Sequence, residues 1–171
     1  RVLLSYEDRM AIQIIRPATV CGYSPRMRLD VSVNLLTMLA LTKGKITVFG
    51  GAQIRPNVHI DDITDTYLHL VDHPKVTGIF NVGFENISIL DIANLVKKYI
   101  PAEIIVTASN DPRSYRVNSD KLLATGFKPK KTVEHAIQEV IEKYHSGILT
   151  DDDKYYNLRW MQENIIKIAP L

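Results

Sequence analysis

Short apolar runs alternate with amphipathic segments along most of this chain, and this alternation constrains the fold more than any other feature. The apolar runs have the length of buried strands and lie at residues 11–15, 46–49, 78–82 and 103–107. The segments between them repeat apolar residues three or four positions apart, as helices do. Strands that alternate with helices are typical of α/β proteins, so we predict that class with at least some parallel strand pairing.

Polar residues mark the expected helix starts, because their side chains can accept hydrogen bonds from the first free backbone N–H groups. The predicted caps are Asp30, Asp61 or Asp62, Ser88 and Thr132, and a further short helix is predicted from Ser119 to Gly126. Arg1 to Met10 has the spacing of the tail of a helix, and a closing helix is predicted after Asp151–Asp153.

Composition bounds the class of protein. A chain of 171 residues with 46% hydrophobic and 23% charged residues is about one globular domain. The net charge of +2 and a single short basic cluster, residues 128–131, do not indicate nucleic-acid binding. Cys21 is the only cysteine, which excludes an internal disulfide, and the sequence shows neither a signal peptide nor a membrane-spanning apolar run. A cytoplasmic protein is therefore expected.

The stretch from Val48 to Asp62 concentrates the strongest signals for a binding site. Gly50-Gly51 should end a strand in a tight turn. Arg55 follows beside Pro56, whose ring is expected to keep that segment extended and outside regular strand pairing. Val58 and Ile60 then alternate with polar residues as in a half-buried strand. A guanidinium on a stiffened loop suits a phosphate or carboxylate, although a surface ion pair is the simpler alternative.

Two other polar segments follow predicted strands, where open α/β sheets bind their ligands. The first is the long loop 17–30, which carries Arg26 and Arg28; the second is residues 110–116. Together with the helix beginning near residue 30, these segments supply a set of anion and sugar binders. The set comprises Asn34, Arg55, Asp111 and Arg113. For Asn34, a helix-surface amide is an equal alternative.

Other kinds of site are disfavoured. His59, Asp61 and Asp62 point in different directions along a strand end and lack a second cluster of ligands, so no metal site is predicted. Cys21 has no neighbouring base in sequence and is expected to be inert. Neither a Gly-rich phosphate loop nor a nucleophile elbow is present in the chain.

Four segments, in order along the chain, resemble motifs of the extended short-chain dehydrogenase/reductases that act as nucleotide-sugar epimerases and dehydratases. They are IIRPATVCGYSP, ITVFGGAQIRPNVHIDD, GIFNVGFENISILDIANLV and DPRSYRVNSDKLLATGFKPKKTVEHAI. This family joins a Rossmann domain for NAD or NADP to a smaller carboxyl-terminal region that holds a nucleoside-diphosphate sugar. The chain departs from the motifs at Pro56, where an aspartate is usual, and at Cys21, where a tyrosine is usual.

The resemblance implies roles for particular residues. Those bordering the nicotinamide would be Pro17 and Ala18. Those facing the sugar, the diphosphate or the nucleotide would be Thr19, Asn34, Phe49, Arg55, Asp111 and Arg113. Within this second set, the arginines would grip the phosphates, Asp111 would lie near the ribose and Phe49 near the base. His59 and Asp62 match a further motif, in which orienting the loop and capping the helix is at least as plausible as substrate contact.

The resemblance also implies how the chain is organised. Residues 1–30 would be the tail of the active-site helix, a strand of the Rossmann sheet and the substrate loop, and residues 31–171 mainly the substrate-binding region. The Gly-rich cofactor fingerprint and the catalytic Tyr-x-x-x-Lys pair are expected before Arg1, so no catalytic residue is assigned here. The chain would be the carboxyl-terminal half of such an enzyme, inactive alone, with NAD or NADP bound mainly by the other half.

The function implied for the intact protein is an NAD(P)-dependent nucleotide-sugar epimerase or dehydratase that transiently oxidises a sugar carbon, with 4-epimerisation favoured slightly. A homodimer is also implied, with no nucleic-acid or membrane partner. Two alternatives remain at this stage: a non-catalytic nucleotide-sugar-binding or regulatory subunit on the same scaffold, and a free-standing protein–protein module.

Overall fold

The computed structural model describes residues 2–109 and 113–165 and confirms the α/β class. The strands are β1 Gln13–Pro17, β2 Thr19–Cys21, β3 Lys45–Phe49, β4 Ile54–His59, β5 Gly78–Val82, β6 Glu85–Ser88 and β7 Glu103–Thr107. The helices are α1 Ser32–Lys43, α2 Ile60–Asp72, α3 Ile89–Lys97, α4 Asp120–Leu123, α5 Val133–His145 and α6 Asn157–Asn164. Single 3-10 turns lie at Leu3–Tyr6, where the tail of a helix was predicted, and at Asp153–Tyr155.

Parallel pairing dominates the described strands. β1 pairs with β5, β2 with β4, and β3 with β7, all in parallel, whereas β6 runs antiparallel to β4. In the first pair Pro17 lies opposite Val82, so both strands end at the same edge. Loops that leave the carboxyl ends of parallel strands converge on one side of the sheet. The loop after β1 and the turn after β5 therefore meet there.

Three clusters of buried apolar side chains hold these layers together. The first joins α1, α3 and α5 to β3, and includes Val33, Ile46 and Ile92, which are fully buried. The second packs the loop around Met27 and Leu29 against the segment before α6. The third lies between the β1–β5 pair, α2 and α4. The loop that begins at the end of β1 is thus anchored at both ends by the core.

Two of the predicted helix caps are confirmed. Ser88 Oγ accepts a hydrogen bond from the Asp91 backbone N at 3.0 Å and donates to the Asp91 carboxylate at 2.6 Å. Thr132 Oγ1 accepts from the backbone N of His135, whose ring in turn accepts from the Thr132 N–H. Both residues have extended backbone angles, which leave the side chain free to fold back onto the first helical turn.

The two predicted caps that are aspartates, at Asp30 and at Asp61 or Asp62, were wrong. Helix α1 begins after Val31 without a side-chain cap, because Asp30 is turned toward Arg28 instead. Helix α2 begins at Ile60, and its cap is His59, whose Nδ1 accepts from the Asp61 backbone N at 3.1 Å. An imidazole nitrogen can serve where a hydroxyl or carboxylate oxygen is more usual, and a sequence pattern favours the commoner residue types.

Strand β4 differs from its prediction in two ways. Pro56 lies within the strand, opposite Asn86 of β6, rather than outside regular pairing. Residues Pro56 to His59 are all buried, so the strand does not alternate between a buried and an exposed face. β4 is paired on both edges, with β2 and β6, and helices α2 and α5 pack against it. The neighbouring strands β2 and β6 are only three and four residues long. Strands this short give no clear pattern in a sequence.

Among the helices of the described residues, none is both long enough and apolar enough to cross a lipid bilayer.

Candidate functional site

A cavity of about 410 Å³ opens beside the end of β1. Its walls are formed by Pro17, Ala18, Thr19, Val20, Arg28, Val31, Tyr115 and Val117. Three of the residues that the resemblance assigned to cofactor or substrate, Pro17 to Thr19, therefore share one surface. The chain is held there by the backbone N of Ala18, which donates to the carbonyl of Val82 at 2.8 Å.

Gly83 allows this wall to form. A Cβ atom added to Gly83 would lie 2.7 Å from Cβ of Ala18 and 3.4 Å from a methyl group of Val117. Contacts under 3.0 Å between such atoms are essentially never seen, so a side chain here would push the cavity wall apart. Gly83, in the third resembling segment, is thus required by the close approach of two segments of the backbone.

Arg55 and Arg113, predicted as a pair, are neighbours in the structure. Arg55 Nη1 donates to the backbone carbonyl of Arg113 and, at 3.3 Å, to that of Ile54. Its guanidinium carbon lies 5.8 Å from the centre of the Tyr115 ring, within the range of a cation–π contact. A half-buried arginine, an exposed arginine and an exposed tyrosine thus come together beside the cavity.

Arg28 is a third cation at the cavity, and it was not among the predicted site residues. Its guanidinium forks onto the Asp30 carboxylate, with Nε–Oδ1 at 2.8 Å and Nη2–Oδ2 at 3.1 Å. Burial by itself would raise the pKa of Asp30, but the hydrogen bond and the charge of Arg28 outweigh it and lower that pKa. The pair therefore stays ionised, and it presents a fixed, partly neutralised guanidinium to the cavity.

Tyr115 was missed in the same way. It belongs to the fourth resembling segment, but the predicted site residues were chosen as binders of anions or hydroxyl groups, and a tyrosine ring is neither. Its exposed ring, with 52% of the residue accessible, forms part of the cavity wall. An aromatic ring two residues after a predicted phosphate-binding arginine was the available signal.

Asn34 is buried rather than at a helix surface, with an exposed fraction of 1%. Its Oδ1 accepts from the Gly22 backbone N at 3.1 Å, and its Nδ2 donates to the Arg28 carbonyl at 2.9 Å. These contacts hold the two ends of the substrate loop on helix α1. A second cavity of about 230 Å³ adjoins it, with Gly22, Ser24, Arg26 and Arg28 among its lining residues. Contact between Asn34 and a sugar remains a prediction.

Phe49 is not among the residues of the cavity wall. Phe49 lies at the end of β3, opposite Thr107, and is 63% exposed. Its carbonyl accepts from Gln53 Nε2 at 2.8 Å, which closes the turn that leads to β4. Asp111 lies outside the described residues.

His59 and Asp62 act within the fold. His59 is 2% exposed; its Nδ1 caps helix α2, and its Nε2 lies 3.3 Å from Glu139 Oε2. Asp62 is fully buried, and its two carboxylate oxygens accept from the backbone N atoms of Lys130 at 2.9 Å and Lys131 at 3.1 Å. These bonds fix the start of the loop before α5, as expected from the role of orienting loop and helix.

His59, Asp61 and Glu139 are the cluster in the described residues that comes closest to a metal site. However, the two carboxylates approach different nitrogens of the imidazole ring. Gly22 also packs against Nε2 so closely that an added Cβ would lie 2.9 Å from it. A metal ion needs its ligand atoms to converge on one point at about 2 Å, and this arrangement does not provide one.

Cys21 is buried among apolar side chains, and its Sγ lies 3.4 Å from the carbonyl of Val58. Burial, followed by the charge of Glu85, raises the pKa of the thiol to about 12. Because the thiolate is the reactive form, this cysteine is a structural residue.

Comparison with known proteins supports the resemblance seen in the sequence. Residues 2–83, just under half of the chain, match the model of the NAD dependent epimerase/dehydratase family. The chain is similar to this family over that segment. The matched segment includes β1, the substrate loop and β4, and it therefore contains most of the cavity wall.

Known proteins that resemble the chain in sequence differ from one another in activity. Dihydroflavonol 4-reductase from Solanum lycopersicum is 28% identical over 136 residues, which cover 77% of this chain and 34% of that protein. Probable GDP-L-fucose synthase 1 from Oryza sativa subsp. japonica is 26% identical over 117 residues, or 65% of this chain and 36% of that protein. The chain thus spans about a third of the length of these relatives.

A solved structure confirms the fold. UDP-N-acetylglucosamine 4-epimerase from Bacillus cereus superposes with a TM-score of 0.74 at 17% sequence identity, over 91% of this chain and 53% of that protein. At this level of identity the similarity concerns the fold, which is Rossmann-like in this family, and not the residues of the site.

Proposed function

We propose that this chain is the substrate-binding part of an NAD(P)-dependent nucleotide-sugar epimerase or dehydratase. The observation that supports the proposal is the placement of Arg55 and Arg113 beside the cavity that Pro17, Ala18 and Thr19 line. One end of this site is small and apolar, whereas the other is cationic. A ligand with a reacting carbon at one end and a diphosphate at the other fits such a division.

The apolar end suits a nicotinamide. Pro17 is exposed and Ala18 is half-buried, so together they offer a flat wall without side-chain polar groups. NAD or NADP, when bound, would accept and return a hydride. The residues of this chain would contribute by holding the substrate near that wall and by limiting access of water to it.

The cationic end favours an anionic substrate over an uncharged one. Arg28 is already paired with Asp30, so its contribution to anion binding is reduced. Arg55 Nη1 donates to the backbone carbonyls of Ile54 and Arg113, which orient the guanidinium. A guanidinium fixed in this way can fork onto a phosphate, with little loss of side-chain freedom on binding.

The proposal is tested by titrating the intact protein with UDP-, GDP- and dTDP-sugars in the presence of NAD, using calorimetry. Replacing Arg55 by Ala should weaken the binding of the preferred ligand about 10- to 100-fold, because a charged hydrogen bond to phosphate is lost. Arg55→Lys keeps the charge but not the forked pair of donors, so its affinity should lie between those of the wild type and Arg55→Ala. Arg9→Ala removes an exposed arginine and is the control. Affinity unchanged in Arg55→Ala would refute the assigned role.

The finer parts of the proposal are 4-epimerisation through transient oxidation of a sugar carbon, and binding without turnover by residues 1–171 alone. Incubating the intact protein with UDP-glucose and analysing the sugar by NMR should reveal the C4 epimer. The same experiment with residues 1–171 should return the starting sugar.

The alternative to an enzyme is a non-catalytic binding subunit on the same scaffold. The described residues that line the cavity include one arginine and one tyrosine but neither a carboxylate nor an imidazole, as both alternatives expect when the catalytic pair lies elsewhere. Ligand binding by the intact protein, with no turnover of any sugar nucleotide, would decide for this alternative.

A further inference from the structure

Tyr115 and the carbonyl of Arg113 lie on a segment without helix or strand, residues 113–119, which we call the arm. The arm has no regular pairing along its length, yet it forms one side of the cavity. At its start, Ser114 Oγ accepts from the Ile54 backbone N at 3.1 Å, and the Tyr115 N donates to the Ile54 carbonyl at 3.3 Å. The arm's position therefore depends on a few individual hydrogen bonds.

The side chain of Asn86 holds the middle of the arm. Asn86 Oδ1 accepts from the Val117 backbone N at 2.8 Å, and Asn86 Nδ2 donates to the Val117 carbonyl at 3.0 Å. Both backbone groups of one residue are thereby satisfied, as a neighbouring strand would satisfy them. An asparagine amide carries the required acceptor and donor side by side, and a carboxylate or an alkyl group does not.

The location of Asn86 links this clamp to the site. It lies on β6 directly opposite Pro56, the residue after Arg55. The backbone of β6 is thus paired with the strand that carries the predicted phosphate-binding arginine, while the Asn86 side chain holds the arm that this arginine contacts. Val117 itself lines the cavity.

A second tie lies at the end of the arm. Ser119 Oγ accepts from the Gly83 backbone N at 3.0 Å and donates to the Gly83 carbonyl at 2.9 Å. Ser119 is buried, so this end stays attached when the middle is released. Removing the Asn86 amide should therefore loosen the arm without unfolding the region around it.

We propose that Asn86 is a positioning residue for substrate binding: its side-chain amide holds the arm so that the Arg113 carbonyl and the Tyr115 ring keep the Arg55 guanidinium at the cationic end of the cavity. This inference rests on the proposed function, because it concerns the same nucleotide-sugar site. It assigns to the site a residue that does not line the cavity described above.

The test uses the intact protein and the variant Asn86→Ala, with Asn164→Ala on α6 as a control of the same residue type. UDP, GDP and dTDP are the probes for the diphosphate end, and NAD is the probe for the cofactor end. We expect about tenfold weaker binding of the preferred diphosphate in Asn86→Ala, and unchanged affinity for NAD. General destabilisation would reduce both affinities, so the difference between them isolates positioning.

Hydrogen exchange provides a readout without ligand. The Val117 amide donates to Asn86, so its exchange should accelerate in Asn86→Ala and remain slow in Asn164→Ala. Equal exchange at Val117, or equal diphosphate affinity in the wild type and Asn86→Ala, would overturn the inference and leave the proposed function standing. A wild-type protein that binds none of the three diphosphates would overturn the proposed function together with the inference.

Discussion

Gly22 offers a stringent test of the packing behind the substrate loop. It has a φ of +98°, and an added Cβ would lie 2.9 Å from Nε2 of the buried His59 and 3.0 Å from Oε2 of Glu139. Gly44 provides a matched comparison, since its φ is also positive, at +61°, but nothing lies within 4 Å of its added Cβ. The change Gly→Ala at both positions separates backbone strain from steric clash.

The magnitudes follow from these two terms. A non-glycine residue in a left-handed backbone conformation costs about 1–2 kcal/mol. Gly44→Ala carries that cost, and Gly22→Ala carries at least as much, because its φ of +98° lies outside the left-handed region that other residues adopt. Overfilling a packed region costs about 1–3 kcal/mol more, and it applies to Gly22 alone. The gain from a stiffer unfolded chain is similar at both sites and cancels in the comparison. We expect Gly22→Ala to destabilise the protein by about 2 kcal/mol more than Gly44→Ala.

Urea unfolding followed by circular dichroism measures the difference, provided that the slopes of the two transitions agree. The Gly22 backbone N also donates to Asn34, so the variant should weaken ligand binding along with stability. Equal losses of stability in the two variants would show that His59 and Glu139 do not confine Gly22, and would refute the account of this loop.

Two further predictions concern buried groups. Asp62→Asn should lower the free energy of unfolding by about 2–3 kcal/mol, because an amide can accept only one of the two hydrogen bonds now donated by Lys130 and Lys131; urea unfolding checks this, and a loss within error of zero would contradict it. Cys21, whose pKa is raised to about 12, should remain unlabelled by iodoacetamide at pH 8 in the native protein and react once the protein is unfolded. Rapid labelling of the native protein would show that the thiol is accessible.

Much of the fold could be predicted because its elements carry local signals. Strands β5 and β7 begin and end where the apolar runs do, and Ser88 and Thr132 cap their helices as their spacing to the next polar residue predicted. Such features depend on residues a few positions apart, which the sequence displays directly.

The errors arose where another partner in the folded chain competes with the helix start for an aspartate side chain. Asp30 pairs with Arg28 instead of capping α1, and Asp62 binds the loop before α5 instead of beginning α2. Both aspartates have the residue type and position of a cap. Which hydrogen bond each makes is decided by what the folded chain brings within reach.

The candidate site, like the fold, was predictable in part from the sequence. The sequence alone determined the residue types, namely arginines at 55 and 113 and small residues at 17–19, and its motifs indicated the resemblance to a family. Only the tertiary structure decided that Arg55 rests on the backbone of Arg113, that Tyr115 lines the cavity, and that Asn86 holds the arm. The physical reason is that these contacts join residues separated by 31 to 58 positions, and such pairings depend on how strands and loops pack rather than on local pattern.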